Sequence, residues 1–430
     1  MKNIFSRRTL KPLSEQVIVI TGASSGIGLA TAISAARQGA QLVLASRNAQ
    51  ALDEAQRRIE DVGGTAVSIV ADVGREEEVR AISQLAIDSF GGFDTWINNA
   101  GVSIIGKLED VTDEDNRRLF DTNFWGIVYG SQVAAEHLKG KGGAIINLGS
   151  MLSDVAVPLQ GMYSASKHAV KGFTDSFRHE LEAEGADISV TLIKPGAIAT
   201  PFFSHAKNYM HNEPKAPPPV YAPGEVAYAI LHAAQHPVRD VAVGGSVPLI
   251  SMMNAISPRL TDWVNEKFMI RAQLSEKPKT RRRDNLHTSG HDGEIYGKDK
   301  TFAMGSLYTR ASLHPIATTI AATAIGVIAY RYLGKSKYSK IALKGVSAVM
   351  PPPSMLFASA LTKLMKEDPA AAAKLAPKLV KEKIDWVSMI KGKKAANRIH
   401  SAAEMAEKRL HHAVEYAKDH NPVKKYISSR

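Results

Sequence analysis

A tyrosine and a lysine four residues apart stand in Tyr163-Ser164-Ala165-Ser166-Lys167. On a helix the i and i+4 positions share a face, so the phenol and the ammonium meet in one place. A phenol with an ordinary pKa of ~10 is protonated at neutral pH, and a neighbouring cation favours its ionised form. Tyr163 beside Lys167 is therefore equipped to exchange a proton with a substrate. The same pair also occurs on solvated helices, so its meaning depends on the elements that hold it. Residues 144–149, Ala-Ile-Ile-Asn-Leu-Gly, read as a buried strand that ends at Ser150. Open α/β sheets bind ligands at such strand ends.

The positioning elements begin near the N-terminus. Residues 17–20 read as a strand, followed by Thr21-Gly22-Ala23-Ser24-Ser25-Gly26-Ile27-Gly28 and a helix-like run over 29–38. Glycines at such a turn let the backbone approach a phosphate, and the N–H groups of the helix start stabilise its charge. The spacing is Gly-x-x-x-Gly-x-Gly, which is neither the common dinucleotide fingerprint nor a P-loop. A second strand, 41–45, ends at Ser46-Arg47. A guanidinium beside a neutral serine suits a ribose 2′-phosphate, the alternative being a solvated arginine that opens the next helix. A third strand, 66–70, runs to Asp72-Val73, and a fourth, 95–97, to Asn98-Asn99-Ala100-Gly101. Right-handed crossovers bring all these ends to one edge of a parallel sheet.

The chain has 430 residues, enough for a core domain with appendages. It contains no cysteine, which excludes disulfides, thiolate catalysis and cysteine-ligated metals. None of the 14 histidines shows paired metal spacing beside the pocket, and His205 and His211 are expected to be solvated, so no metal site is expected. The formal charge of +12 belongs to residues 335–430, with 20 Lys or Arg against 8 Asp or Glu. A basic partner surface, if present, is a property of that tail. Ser6-Arg7-Arg8 resembles an export signal but lacks the apolar region that must follow it.

Thr21 to Gly28, Asn98 to Gly101, Asn123, Ser150, Tyr163 to Lys167 and Pro195-Gly196-Ala197-Ile198-Ala199-Thr200 resemble, in order, the signature motifs of the short-chain dehydrogenase/reductase family. The resemblance covers about residues 13–250. It implies an α/β, Rossmann-type doubly wound domain with a mostly parallel sheet of about seven strands, acting as an oxidoreductase that interconverts a carbonyl and an alcohol. The interval to Tyr163 selects Ser150 over Ser153 as the catalytic hydroxyl. By resemblance, Tyr163 is the proton donor or acceptor, and Lys167 lowers its pKa and holds the nicotinamide ribose. Ser150 donates to the carbonyl oxygen, and Asn123 holds a water behind Lys167. The cofactor is expected against Gly22, Ser24, Gly26, Ile27, Gly28, Arg47, Asp72, Val73, Asn99, Ala100, Gly101, Pro195, Gly196, Ile198 and Thr200, besides Tyr163 and Lys167. Arg47 favours NADP(H) over NAD(H).

The loop after Thr200 usually covers the substrate in this family. Phe202, Phe203, Val155, Val157, Leu159 and Met162 suit a hydrophobic one, unless they only pack the lid. The expected organisation is a catalytic domain over 1–255, a helix and polar linker over 256–310, an apolar segment over 311–333 and a basic helical tail over 334–430. One amphipathic helix is expected over 260–274, and a boundary near 305 should leave the catalytic part complete. Residues 311–330 lack Asp, Glu, Lys and Arg and approach the length of a membrane helix, a buried helix being the alternative. The expected location is cytoplasmic, with membrane association left open and a homo-oligomer formed through the catalytic domain. The tail shows no aromatic-interleaved basic pattern of the kind that binds nucleic acid. A second reading is a nucleotide-sensing scaffold whose basic tail binds a membrane or partner, but the complete Asn-Ser-Tyr-Lys set favours an enzyme.

Overall fold

The computed structural model describes residues 10–279, 284–290, 293–297, 303–315 and 318–319. Seven parallel strands form its centre: β1 (Val17–Thr21), β2 (Gln41–Ser46), β3 (Thr65–Val70), β4 (Thr95–Asn98), β5 (Gly143–Leu148), β6 (Ile188–Pro195) and β7 (Asp240–Val243). Their order across the sheet is β7-β6-β5-β4-β1-β2-β3, with β1 paired to β2 and to β4. This is the doubly wound sheet expected from the sequence, and the order reverses between β1 and β4.

Runs rich in Val, Ile and Leu form strands buried on both faces because helices cover both sides of a parallel sheet. The pleat sorts them. Ile18, Ile20, Leu42 and Leu44 pack with helices α1 (Gly26–Ala36) and α2 (Ala49–Glu60), while Val17, Val19, Val43 and Ala45 pack with α3 (Glu76–Phe90) on the other face. Helix α4 (Asp113–Phe120) is capped by Thr112, whose hydroxyl accepts from Asp115 N–H at 3.3 Å. It continues through a π-helical turn, Asp121–Trp125, into α5 (Gly126–Leu138). Helix α6 (Gly161–Ala183) carries Tyr163 and Lys167. Helix α7 (Pro223–Gln235) starts on a proline, where the missing N–H costs no helical hydrogen bond.

The lid after Thr200 is stitched to the body by short pairings. Ala197–Ile198 pairs with Val220–Tyr221, and Ile104–Ile105 with Lys207–Asn208. Beyond β7 come α8 (Ser246–Ile256) and α9 (Pro258–Val264). The single helix expected over 260–274 is instead interrupted by a π-helical turn, Asn265–Met269, and ends after Ile270–Gln273. Leu274–Pro278 then pairs antiparallel with Asn212–Pro214 of the lid.

Two observations bear on the expected organisation. The described parts of 256–310 bond the lid and the strand ends through backbone groups. A boundary near 305 would cut through packed structure: in α10 (Leu307–Leu313), Leu313 joins the main core and the Thr309 hydroxyl accepts from Gly244 N–H at 3.0 Å. Contacts divide the chain into Met1–Ala321 and Ala322–Arg430. Among the described residues no helix is long and apolar enough to cross a membrane. Most of the segment 311–333, and all of the tail 334–430, lie outside the described residues.

Candidate active site

The ends of β1 and β4 are locked together before any ligand is considered. The Thr21 hydroxyl donates to Ile97 O and accepts from the N–H groups of Asn99, at 3.0 Å, and Ala100, at 3.2 Å. The Asn99 amide donates to Thr21 O and Gly22 O at 2.9 and 3.0 Å. Gly22 has φ +64°, and a Cβ there would lie 2.8 Å from Ala100 Cα, so this turn demands glycine. A Cβ on Gly28 would lie 2.2 Å from Gly22 O. Gly28 thus lets α1 pack beneath the turn and does not itself face the cleft.

A cavity of about 260 Å³ opens along these strand ends. Its walls include Gly22, Ser24, Gly26 and Ile27 from the first turn, Arg47 after β2, Asp72 and Val73 after β3, and Asn99, Ala100 and Gly101 after β4. Ser150, Tyr163 and Lys167 reach it from β5 and α6, and Pro195, Gly196, Ile198 and Thr200 from β6 and beyond. Of the residues nominated for catalysis and the cofactor, Gly28 and Asn123 do not line it, and of the apolar candidates neither do Val155, Leu159 and Met162. Val157, Phe202 and Phe203 add apolar surface to the wall, with Phe202 against Tyr163 at 5.5 Å between ring centres.

Ser150 is held in extended backbone, its hydroxyl accepting from Leu152 N–H at 3.1 Å while its own N–H donates to the Ser153 hydroxyl at 3.1 Å. Ser153 therefore supports Ser150, and it is the Ser150 hydroxyl that hydrogen-bonds the phenol of Tyr163. Lys167 Nζ donates to Leu148 O at 2.7 Å and lies 5.8 Å from the centre of the Tyr163 ring. Burial pushes the phenol up to about 12, against a smaller opposing effect of Ser150, and pushes Lys167 down to about 8. The expected lowering of the Tyr163 pKa by Lys167 does not appear here: burial is the largest influence and raises it, Ser150 opposes, and the phenol stays a protonated donor at neutral pH.

Asn123 sits at the π-helical turn and is wholly buried. Its Oδ1 accepts from Val102 N–H at 2.8 Å, and its Nδ2 donates to Val102 O at 3.0 Å and to the Ser166 hydroxyl at 3.3 Å. The side chain splints the strand-end loop to α6 from behind. Asp72 accepts from Arg118 at 2.5 Å and from Gly74 N–H at 3.0 Å. Burial, the largest influence, works to raise its pKa, but these two donors together hold it below the usual carboxylate range.

The family profile described as short chain dehydrogenase matches residues 16–210. The protein named uncharacterized oxidoreductase YxnA, from Bacillus subtilis (strain 168), is 46% identical over 332 residues, covering 76% of this chain and 93% of that protein. The chain belongs to the short-chain dehydrogenase family. As a short-chain dehydrogenase it is an oxidoreductase acting on CH–OH and C=O groups. The 11-beta-hydroxysteroid dehydrogenase A of Sesamum indicum is 41% identical over 185 residues, 43% of this chain and 52% of that one. Among solved structures, a short chain dehydrogenase/reductase from Burkholderia phymatum in complex with NAD aligns with a TM-score of 0.53 at 25% identity, over 58% of this chain and 96% of that one.

Sequence reasoning about the dehydrogenase missed the residues that reach the cleft from beyond 260. Met269, Gln273, Asn285 and Ser289 all line it, and the Gln273 amide oxygen accepts from the Gln160 amide at 2.6 Å. His205, expected to be solvated, is half-buried on the cavity wall, while His211 is exposed. One signal was readable: Leu286 is the only large apolar residue between Lys279 and Glu294.

Proposed function

We propose that the protein is an NADP(H)-dependent reductase or dehydrogenase of hydrophobic carbonyl compounds or alcohols, with Tyr163 as the proton donor or acceptor. The reading rests above all on one observation: a protonated phenol, hydrogen-bonded to Ser150 and one helical turn from Lys167, faces a cavity whose other walls are the strand-end turns. Those turns fit a dinucleotide. Gly22 and Gly26 bring backbone to the cavity at the start of α1, where N–H groups and the helix dipole favour a pyrophosphate. Arg47 stands where a ribose phosphate would be read, and Asn99 to Gly101 and Pro195 to Thr200 would hold the rest. The nicotinamide, when bound, supplies or accepts the hydride.

The chain's own residues handle the proton. In reduction the Tyr163 O–H delivers its proton to the substrate oxygen, and Ser150 donates to the same atom as negative charge develops. Lys167, fixed by Leu148 O, stabilises the phenolate that results. Asn123 keeps α6 and the Val102 loop in register so that these groups converge. Val157, Phe202 and Phe203 exclude water and favour an apolar substrate. The steroid dehydrogenase named among the relatives is consistent with this substrate class.

Replacing Tyr163 with Phe removes the transferable proton and almost no volume. NADPH-dependent reduction of hydrophobic aldehydes and ketones should fall by about a thousandfold, while NADPH affinity changes little. Near-normal turnover in that variant would overturn the assignment.

A further inference from the structure

Residues 284–290 and 293–297 run along the mouth of the cleft and are tied to the stretches that line it. The Leu286 carbonyl accepts from Arg47 Nη1 at 3.0 Å and from Arg118 Nε at 3.1 Å, and Arg47 also donates to Asn285 O. The Leu286 side chain is fully buried in a cluster with Val102, Leu119 and Tyr163. His287 pairs with Asp115 of α4 at 2.6 Å, and Asn48, the cap of α2, donates to Gly290 O at 2.7 Å. Farther along, Gly293 N–H donates to Ser24 O and Gly26 N–H donates to Glu294 O, both at 2.9 Å, and Gly297 N–H donates to Ala199 O at 3.2 Å. The cleft is not filled by this segment. The first turn, Arg47, Lys167 and Ile198 remain on the walls of an open cavity, to which Asn285 and Ser289 add a further wall.

We propose that this segment is a clasp over the dinucleotide, in which Asn285 and Ser289 contact the ligand at the end of the cleft marked by Arg47 and Leu286 is the positioning residue that latches it. The proposal rests on the dinucleotide reading above. A ligand beneath a clasp leaves only when the latch opens, so the segment acts mainly on the dissociation rate. The match with the Bacillus subtilis oxidoreductase covers 76% of this chain, and a match of that length spans 284–297 wherever it begins.

The test uses the full chain and NADPH as probe. Stopped-flow displacement should show dissociation from Leu286→Ala about tenfold faster than from wild type, with association changed by less than about twofold, and Leu286→Met should restore slow release. In the wild type, NADPH should slow hydrogen exchange at the amides of 284–290 and 293–297. Equal dissociation rates in wild type and Leu286→Ala would overturn the clasp. Tighter NADPH binding by the variant would also do so, since the segment would then be a competitor for the site. Unchanged exchange at these amides is the outcome that overturns it even if Leu286→Ala fails to fold. A wild type that binds neither NADPH nor NADH would sink the dinucleotide reading itself, whereas binding with an indifferent clasp sinks only the clasp.

Discussion

Arg47 has two kinds of work in one position. Its Nη1 and Nη2 groups hold the carbonyls of Leu286 and Asn285, yet its place after β2 is where a ribose phosphate would be met. A guanidinium carries five N–H donors in a fixed fork, so anchoring a backbone and pairing with a phosphate are compatible. Arg47→Ala should weaken NADH binding slightly, through the clasp, and NADPH binding by about tenfold more, through the lost charge-assisted bonds. Fluorescence titration with both dinucleotides measures the ratio, and equal losses would show that Arg47 serves the clasp alone. The convergence of Tyr163, Ser150 and Lys167 on one cavity was legible, Tyr163 and Lys167 from their i, i+4 spacing and Ser150 from its place at a strand end. The direction of the Tyr163 pKa shift was not, because burial is a property of the packed site and is the largest influence on the phenol.

At the scale of elements, legibility followed hydrophobic periodicity. Strands β1 to β5 were readable within about a residue at each end, because a parallel sheet buried on both faces demands continuous Val, Ile and Leu. The π-helical turn over Asn265–Met269 and the pairing of Leu274–Pro278 with the lid were not readable. The pairing depends on partners 60 or more residues away in sequence. The junction of α7 and α10 shows what such partners add. His232 of α7 lies between His236 and His314, with the Tyr228 hydroxyl 2.5 Å from His314 and Glu225 paired to Arg310 at 2.8 Å. Burial, followed by the two neighbouring histidines, pushes His232 down to about 4. Between that value and the ordinary histidine pKa of ~6.5 the unfolded chain binds the proton and the native one does not. Stability from this site is therefore complete above about pH 6.5 and is lost as pH falls toward 4. Urea midpoints measured from pH 4.5 to 7 should show this slope in the wild type and a flatter one in His232→Phe. Identical slopes would show that His232 is not the titrating group.

At the scale of the whole molecule, sequence similarity to the family's motifs ends well before the structure does. The motifs stop at Thr200 and the matched profile at residue 210, yet the walls of the cleft draw on Met269, Gln273, Asn285 and Ser289, and the main core includes Leu313. Polar composition made 277–300 look like a linker, because the hydrogen bonds that its carbonyls accept from Arg47 and Arg118 leave no periodic trace. The functional unit should therefore extend to about residue 321, where the contact pattern divides. A chain ending after 321 should keep the thermal midpoint of the catalytic unit and its NADPH affinity. One ending at 305 should unfold at lower temperature, since it removes Leu313 from the core and leaves buried Glu225 without its Arg310 partner. One ending at 279 should in addition release NADPH faster, having lost the clasp. Calorimetry and displacement kinetics on the three chains distinguish these effects. Equal midpoints for chains ending at 305 and 321 would show that α10 contributes nothing to the fold, and would return the boundary to where composition alone placed it.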